Sequence, residues 1–265
     1  MFSNASSESA ILAQAERDRT VMRVIAHRGL AGQGPENTLQ AVEAAAGVAD
    51  GIEVDVRACA DGRAVILHDA RLDRTTDRNG RLAEHSFEAV RGATVDGTDG
   101  SVPTPEEVLE AVPESVEVIF DLKEPAVVDP VLELLEGGHD RVTVSTANPI
   151  ILDALVSKGV PGGLATIVGS PLPGSILRRV EPLLGSGPLE AIIARAKWAN
   201  CRAINARTDL CLSTPLVEQA HAEGLEVNAW TVRTSAEARR LVAAGVDGLI
   251  ADVPVSVVSP ARDRQ

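Results

Sequence analysis

An alternation along the chain narrows the fold more than any other feature. Short apolar, largely β-branched runs recur at Val24–Ala26, Ile52–Val56, Val116–Phe120, Val142–Val144, Leu164–Val168, Ala203–Asn205, Val227–Trp230 and Gly248–Ala251. Helical patterns separate most of them, at Thr38–Ala46, Thr104–Ala111, Pro130–Leu135, Pro149–Val156, Glu190–Trp198, Thr214–Glu223 and Ser235–Ala244. Thr104 with Glu107, and Thr234 with Glu237, have the spacing of capping boxes at helix starts. Eight such alternations predict an α/β fold, an eight-stranded parallel β/α (TIM) barrel. A doubly wound open sheet shares the alternation. However, the glycines after the first run, Gly29, Gly32 and Gly34, do not form the G-x-G-x-x-G turn of dinucleotide-binding sheets. Polar residues close many runs instead: His27, Asp55, Asp121, Ser145, Asn205, Thr231 and Asp252. In a barrel those ends converge on one mouth.

One run breaks the alternation. Val65–His68 is strand-like, yet only Cys59–Ala64 separate it from the run before it. A parallel crossover needs roughly ten or more residues. Asp61-Gly62 is a strong turn signal, so this segment is expected to fold back as an antiparallel hairpin. With a two-residue turn, residue i faces residue 123 − i, and His68 lies opposite Asp55.

Composition excludes several functions. A 265-residue chain that is 45% hydrophobic can bury a core and is not intrinsically disordered. A net charge of −13 argues against nucleic acid or an anionic membrane surface as the main partner. Aromatic content of 2% leaves almost nothing for base stacking. Cys59, Cys201 and Cys211 show no C-x-x-C spacing, so neither a disulfide framework nor a zinc ribbon is expected. No apolar window is long enough for stable membrane insertion, and the first twenty residues lack a signal-like run, so the expected compartment is the cytoplasm. Oligomeric state is not legible in the sequence.

Among the charged residues, Glu53 and Asp55 are two apart in a strand and share one face. Two readings stand on spacing alone: surface ion pairs at a wet strand end, or ligands for a divalent cation. Asp121 adds a third carboxylate after another apolar run, with Lys123 two residues on. Convergence of the three makes a hard, oxygen-rich site suited to one Mg²⁺ or Ca²⁺. His27 and His68 sit at strand ends near these acids and are the candidate proton donor and acceptor. Arg28 offers a planar fork for phosphate oxygens, and Trp230 an apolar wall for a small polyol. His85, His139 and His221 lie in polar loops or helices and are assigned no chemistry.

These residues carry a resemblance. His27-Arg28-Gly29, Pro35-Glu36-Asn37-Thr38, Glu53-Val54-Asp55-Val56, Asp61-Gly62, His68-Asp69 and Leu72-Asp73-Arg74-Thr75-Thr76 are followed by Val102-Pro103-Thr104, Asp121-Leu122-Lys123 and Trp230-Thr231-Val232. The series closes with Gly245-Val246-Asp247-Gly248, Asp252 and Pro254. In this order the series resembles the glycerophosphodiester phosphodiesterase family, over about residues 24–255. The resemblance implies a barrel with a small insertion after the second strand, here at about 70–102, within one catalytic domain over 21–258. A polar appendage (1–20, with a helix at Ser6–Arg19) and a tail (259–265) would flank it. It also implies hydrolysis of small glycerophosphodiesters to glycerol 3-phosphate and an alcohol. Under it His27 and His68 are the acid/base pair, Glu53, Asp55 and Asp121 hold the metal, and Arg28 and Lys123 hold phosphate. Departures from the family bear on substrate preference: Asp121 where Glu is usual, Arg233 where Asn is common, and Ala251 where Thr is common. The rival readings are a lysophospholipase D-type enzyme of the same family and an inactive phosphate-binding barrel.

Overall fold

The computed structural model describes residues 22–32, 34–160, 162–169 and 187–252. The expected N-terminal helix, Pro254 and the C-terminal tail lie outside them. Eight parallel strands close into a barrel: β1 (Arg23–His27), β2 (Gly51–Ala58), β4 (Glu117–Leu122), β5 (Val142–Thr146), β6 (Gly163–Val168), β7 (Ala203–Arg207), β8 (Glu226–Val232) and β9 (Gly248–Ala251). Closure comes from the pairing of β1 with both β9 and β2. Helices α1 (Leu39–Ala46), α3 (Pro105–Ala111), α4 (Val128–Leu135), α5 (Pro149–Lys158), α6 (Gly187–Trp198), α8 (Leu216–Ala222) and α9 (Ser235–Ala243) cover the outside. Their buried faces and the outward faces of the strands form the main core, with Val54, Val118, Phe120, Val144, Ile204 and Leu249 all 3% exposed or less. Among the described residues no helix is long and apolar enough to cross a membrane.

Local chemistry explains most boundaries. Thr104 and Glu107 form a full capping box at α3: the Glu107 amide donates to Thr104 Oγ1 and the Thr104 amide donates to the Glu107 carboxylate. At α9 only half of the motif forms. The Glu237 amide donates to Thr234, but its carboxylate accepts from the Arg233 amide instead. The helix expected over 214–223 forms as α8, and a short helix the sequence reading did not anticipate, α7 (Thr208–Ser213), precedes it across Thr214-Pro215. Pro215 has no amide hydrogen to carry a helix through, and Thr214 is extended.

The hairpin forms, but in a different register. Strand β3 (Ala64–Ile66) pairs antiparallel with β2 as Val56–Ile66, Arg57–Val65 and Ala58–Ala64, so Leu67, not His68, faces Asp55. The loop has three residues, Ala60 to Gly62. The Gly62 amide donates to the Cys59 carbonyl and the Cys59 amide to the Arg63 carbonyl. Gly62 takes φ +82°, the left-handed position that ends such a loop, and thereby shifts the pairing by one residue. The chain leaves the ladder after Ile66, so His68 stands on a loop. The segment that follows carries α2 (Phe87–Arg91) and gathers Cys59, Val65, Leu67, Leu72, Leu82, Phe87, Val90, Val95 and Val102 into a second small core. Arg91 fastens it to α3 through two hydrogen bonds to Glu107, at 2.6 and 2.8 Å.

Inside the barrel, Ile25, Ile119 and Ile250 pack together with Trp230 against them. Below this layer the floor is polar. Arg23 joins Glu117 at 3.0 Å and Glu226 at 2.5 Å, and Asn228 donates to Asn205 at 2.9 Å. Gly248 makes room for that packing, since a Cβ there would sit 2.4 Å from Asn228 Oδ1. Gly248→Ala is expected to destabilise the protein by about 1–3 kcal/mol through overpacking, read as a lower Tm. An unchanged Tm would show that the floor can shift freely.

Candidate active site

Strand register builds the acidic pocket at the carboxyl ends of the strands, where barrel enzymes place their chemistry. His27 pairs with Glu53 across β1–β2, and Asp55 with Asp121 across β2–β4. Alternation along β2 turns Glu53 and Asp55 the same way. All three acids are 5% exposed or less, and they offer one oxygen each within 4.8 Å of one another. The surface ion-pair reading of Glu53 and Asp55 is thereby overturned: these are buried carboxylates facing one point.

Two cations share the pocket with three acids. Lys123 Nζ lies 2.6 Å from Asp55 Oδ1 and also pairs with Asp121 Oδ2. Arg28 Nε lies 3.0 Å from Asp55 Oδ2. Asn37, with the left-handed backbone that Asn tolerates (φ +56°), donates to Asp55 Oδ2 at 2.8 Å. Burial would raise the Asp55 pKa, but Lys123 and Arg28 overcome it and hold this acid below its ordinary value. Glu53 accepts the Arg28 amide at 3.2 Å, and neither the Lys123 ammonium nor the Arg28 guanidinium is paired with it among the described residues. Burial first, and then the Asp55 charge, push its pKa up from 4.5 to about 7. Burial also raises Asp121, with Lys123 opposing.

The donor set fits a hard dication. Asp121 Oδ1 is buried without a hydrogen-bond partner among the described residues, and so is the hydroxyl of Ser145, its register neighbour on β5. Three acids against two cations leave excess negative charge, and Glu53 carries it least comfortably. Oxygen ligands and an unneutralised carboxylate are what Mg²⁺ or Ca²⁺ require.

The histidines flank this cluster. His27 Nδ1 lies 2.5 Å from Asp252 Oδ1, and its Nε2 lies 3.8 Å from Glu53. Burial pulls the His27 pKa down, but Glu53 and the Asp252 hydrogen bond outweigh it and leave the imidazole above its ordinary value. His68 Nδ1 lies 2.7 Å from Asp69 Oδ1. Although the hairpin register differs from expectation, His68 stays at the site, lining a small cavity with Glu36 and Asn37, the residue that donates to Asp55. The turn after β1 is held close: Gly29 takes φ +75°, and a Cβ there would meet Ala41 at 2.9 Å.

Trp230 donates its indole N–H to the Asn205 carbonyl at 2.9 Å and forms part of the interior wall. A cavity of about 210 Å³ opens beside Asp121 and Lys123, lined also by Ala147 and Asn148. Sequence reasoning placed Asp252 at a strand end without a role, and assigned none to Asn37 or Asp69. An acid next in sequence to a candidate histidine was the available signal for Asp69. Asp252 is 225 positions from His27, and only barrel closure brings them together.

The fold and the site define an enzyme of the β/α-barrel class. A profile of the glycerophosphoryl diester phosphodiesterase family matches residues 27–166 and 175–256, and the chain belongs to that family as one of its phosphodiesterases. It is 31% identical to the protein YqiK of Bacillus subtilis over 248 residues, covering 88% of this chain and 95% of that one. It is 29% identical to a glycerophosphodiester phosphodiesterase of Bacillus altitudinis over the same shares. A crystal structure described as a putative glycerophosphoryl diester phosphodiesterase from Agrobacterium tumefaciens superposes with a TM-score of 0.75 at 26% identity, covering 92% of this chain and 98% of that one. A phosphodiesterase of Oleispira antarctica, in complex with the product sn-glycerol-3-phosphate, shares the fold at TM-score 0.75 and 23% identity, covering 93% and 99%.

Proposed function

We propose that this enzyme hydrolyses small glycerophosphodiesters to glycerol 3-phosphate and an alcohol, using one Mg²⁺ or Ca²⁺ held by Glu53, Asp55 and Asp121. The observation that carries this reading is the trio of buried carboxylates converging within 4.8 Å between two acid-backed histidines. The Oleispira relative's bound product supports glycerol 3-phosphate as the retained half. A divalent ion at the trio supplies positive charge against the phosphate oxygens.

The protein's own groups do the rest. Arg28 and Lys123 orient the phosphate through their positive charge, a role supported by their position beside the carboxylate trio. Asp252 and Asp69 each engage Nδ1 of a histidine, which leaves Nε2 as the nitrogen for proton transfer in both rings. One imidazole takes the proton from the nucleophile, water or a neighbouring glycerol hydroxyl whose cyclic phosphate water then opens, as its oxygen bonds to phosphorus; the other returns a proton to the departing alkoxide as the old P–O bond breaks. Trp230 walls the polyol, and the cavity beside Lys123 takes the second substituent. The three cysteines are buried and unpaired, in keeping with a cytoplasmic enzyme.

The test is a panel of glycerophosphodiesters and lysolipids assayed with Mg²⁺, Ca²⁺ and Mn²⁺. Glycerophosphocholine or a similar head-group diester is expected to be cleaved with kcat/KM at least about tenfold above a long-chain lysolipid, because aromatics to line an acyl channel are scarce. Preferential release of lysophosphatidic acid would replace this reading with a lysophospholipase D activity. Phosphate binding without turnover would make the barrel a binding module.

A further inference from the structure

The segment Leu72-Asp73-Arg74-Thr75-Thr76 has no part in the chemistry above, yet its fold is closely specified. Leu72 is fully buried in the second core, and Thr76 closes the turn by donating its hydroxyl to the Leu72 carbonyl at 2.9 Å. Asp73 is occupied within the turn by Arg71 and by the Gly80 amide. Arg74 reaches out of the turn toward the site. Its Nε lies 2.5 Å from Asp69 Oδ2, and its Nη2 lies 2.5 Å from Glu36 Oε1.

Each of those carboxylates holds a residue of the site. Asp69 engages His68 at 2.7 Å, while Glu36 accepts from Arg28 at 3.1 Å, and Arg28 in turn meets Asp55 at 3.0 Å. We propose that Arg74 is a positioning residue for the reaction, bracing His68 through Asp69 and Arg28 through Glu36. The need for it follows from the hairpin. His68 lies past the last ladder pair of β3, so sheet hydrogen bonds do not fix it. Among the described residues its hydrogen bonds are the one from Arg57 Nε to its carbonyl and the one between its ring and Asp69. The Arg74 hydrogen bond in turn holds the Asp69 pKa down to about 2, so Asp69 is a constant acceptor for the ring.

Geometry favours arginine here. Two nitrogens of one rigid planar fork, Nε and Nη2, reach two carboxylates from different segments, and a lysine would have to meet both from one point on a flexible stem. The side chain is half-exposed, so solvent screens the pairs and their contribution to stability is small. Its removal should therefore act on rate and leave the fold intact.

This inference rests on the proposed activity, and its test separates the two. Arg74→Gln is expected to lower kcat by about 10- to 100-fold, the scale of a misplacement of about 1 Å, and to raise KM, with Tm unchanged. Asp69→Asn should reproduce mainly the kcat loss and Glu36→Gln mainly the KM rise. Arg74→Lys should recover only part of either, and it serves if the Gln variant folds poorly. If Arg74 acts through Asp69, the double variant Asp69→Asn/Arg74→Gln loses no more kcat than the worse single change. Fully additive losses, or parent-like kinetics in Arg74→Gln, overturn the proposal. A second readout needs no substrate: ¹⁵N NMR of the His68 ring should show the Nδ1-protonated tautomer in the parent and a mixed population in Arg74→Gln. An unchanged tautomer overturns the brace to His68. Failure of the parent to cleave any diester would sink the activity while leaving this ring measurement decisive for Arg74.

Discussion

His27→Ala and His68→Ala are each expected to lose about 10²- to 10⁴-fold in kcat, the range for removal of one general acid or base. Both rings stand beside the acidic cluster with Nδ1 held by a carboxylate. His221→Ala should leave turnover nearly unchanged, because its ring pairs with Asp247 at 2.8 Å, ahead of β9 and away from the strands' carboxyl ends. His139→Ala should behave likewise, since His139 precedes β5 on the amino side of the barrel. The double variant at 27 and 68 should fall little below the worse single, because each proton transfer is useless without the other. Steady-state kinetics on the best diester of the panel decide it. Equal, mild losses at all four positions would remove both histidines from the chemistry.

Why some of this was legible in the sequence and some was not has a physical basis. Strands buried between a barrel interior and a shell of helices need apolar side chains, and that demand is written locally, as is the Thr104–Glu107 box. The two-residue period of β2 puts Glu53 and Asp55 on one face whatever the strand packs against. Register is less local. Asp61-Gly62 fits a two-residue or a three-residue loop, and only packing of Leu67 into the second core selects between them. The Asp252–His27 pair and the Arg74 brace depend on closure and on docking of the insertion, with 225 and 38 positions between the partners. No period in a sequence records such distances. The polar barrel floor was missed for the same reason: Arg23, Glu117 and Glu226 each look like a charged strand end until closure sets them side by side.

Glu53→Gln is expected to abolish activity and yet to stabilise the metal-free protein at pH 8. In the folded chain the Glu53 pKa is about 7, above its ordinary 4.5, because it is buried and then because Asp55 lies beside it. The folded state thus holds this proton more tightly than the unfolded state does. The stability it contributes is fully present below pH 4.5 and is lost as pH rises to about 7. A shift of that size corresponds to roughly 3 kcal/mol, or several degrees in Tm for a chain of this length. The neutral amide avoids the loss, so above pH 7 the metal-free variant should melt higher than the metal-free parent, and at pH 4.5 the two should converge. A bound dication acts in the opposite direction. It favours the ionised Glu53, so Mg²⁺ or Ca²⁺ should raise the parent's Tm strongly at pH 8 and much less at pH 5, where protons compete for the same oxygens. Glu53→Gln should lose most of that response. Asp121→Asn should lose it too, whereas Asp121→Glu should keep a response with an altered preference between the ions, since Mg²⁺ tolerates a displaced oxygen less well than Ca²⁺. Melting curves of the parent and the three variants, with chelator and with each ion at pH 8, 5 and 4.5, give the answer. A parent Tm indifferent to divalent ions at pH 8 would leave the protein's own groups, Lys123, Arg28 and His27, to balance these acids and would end the metal reading.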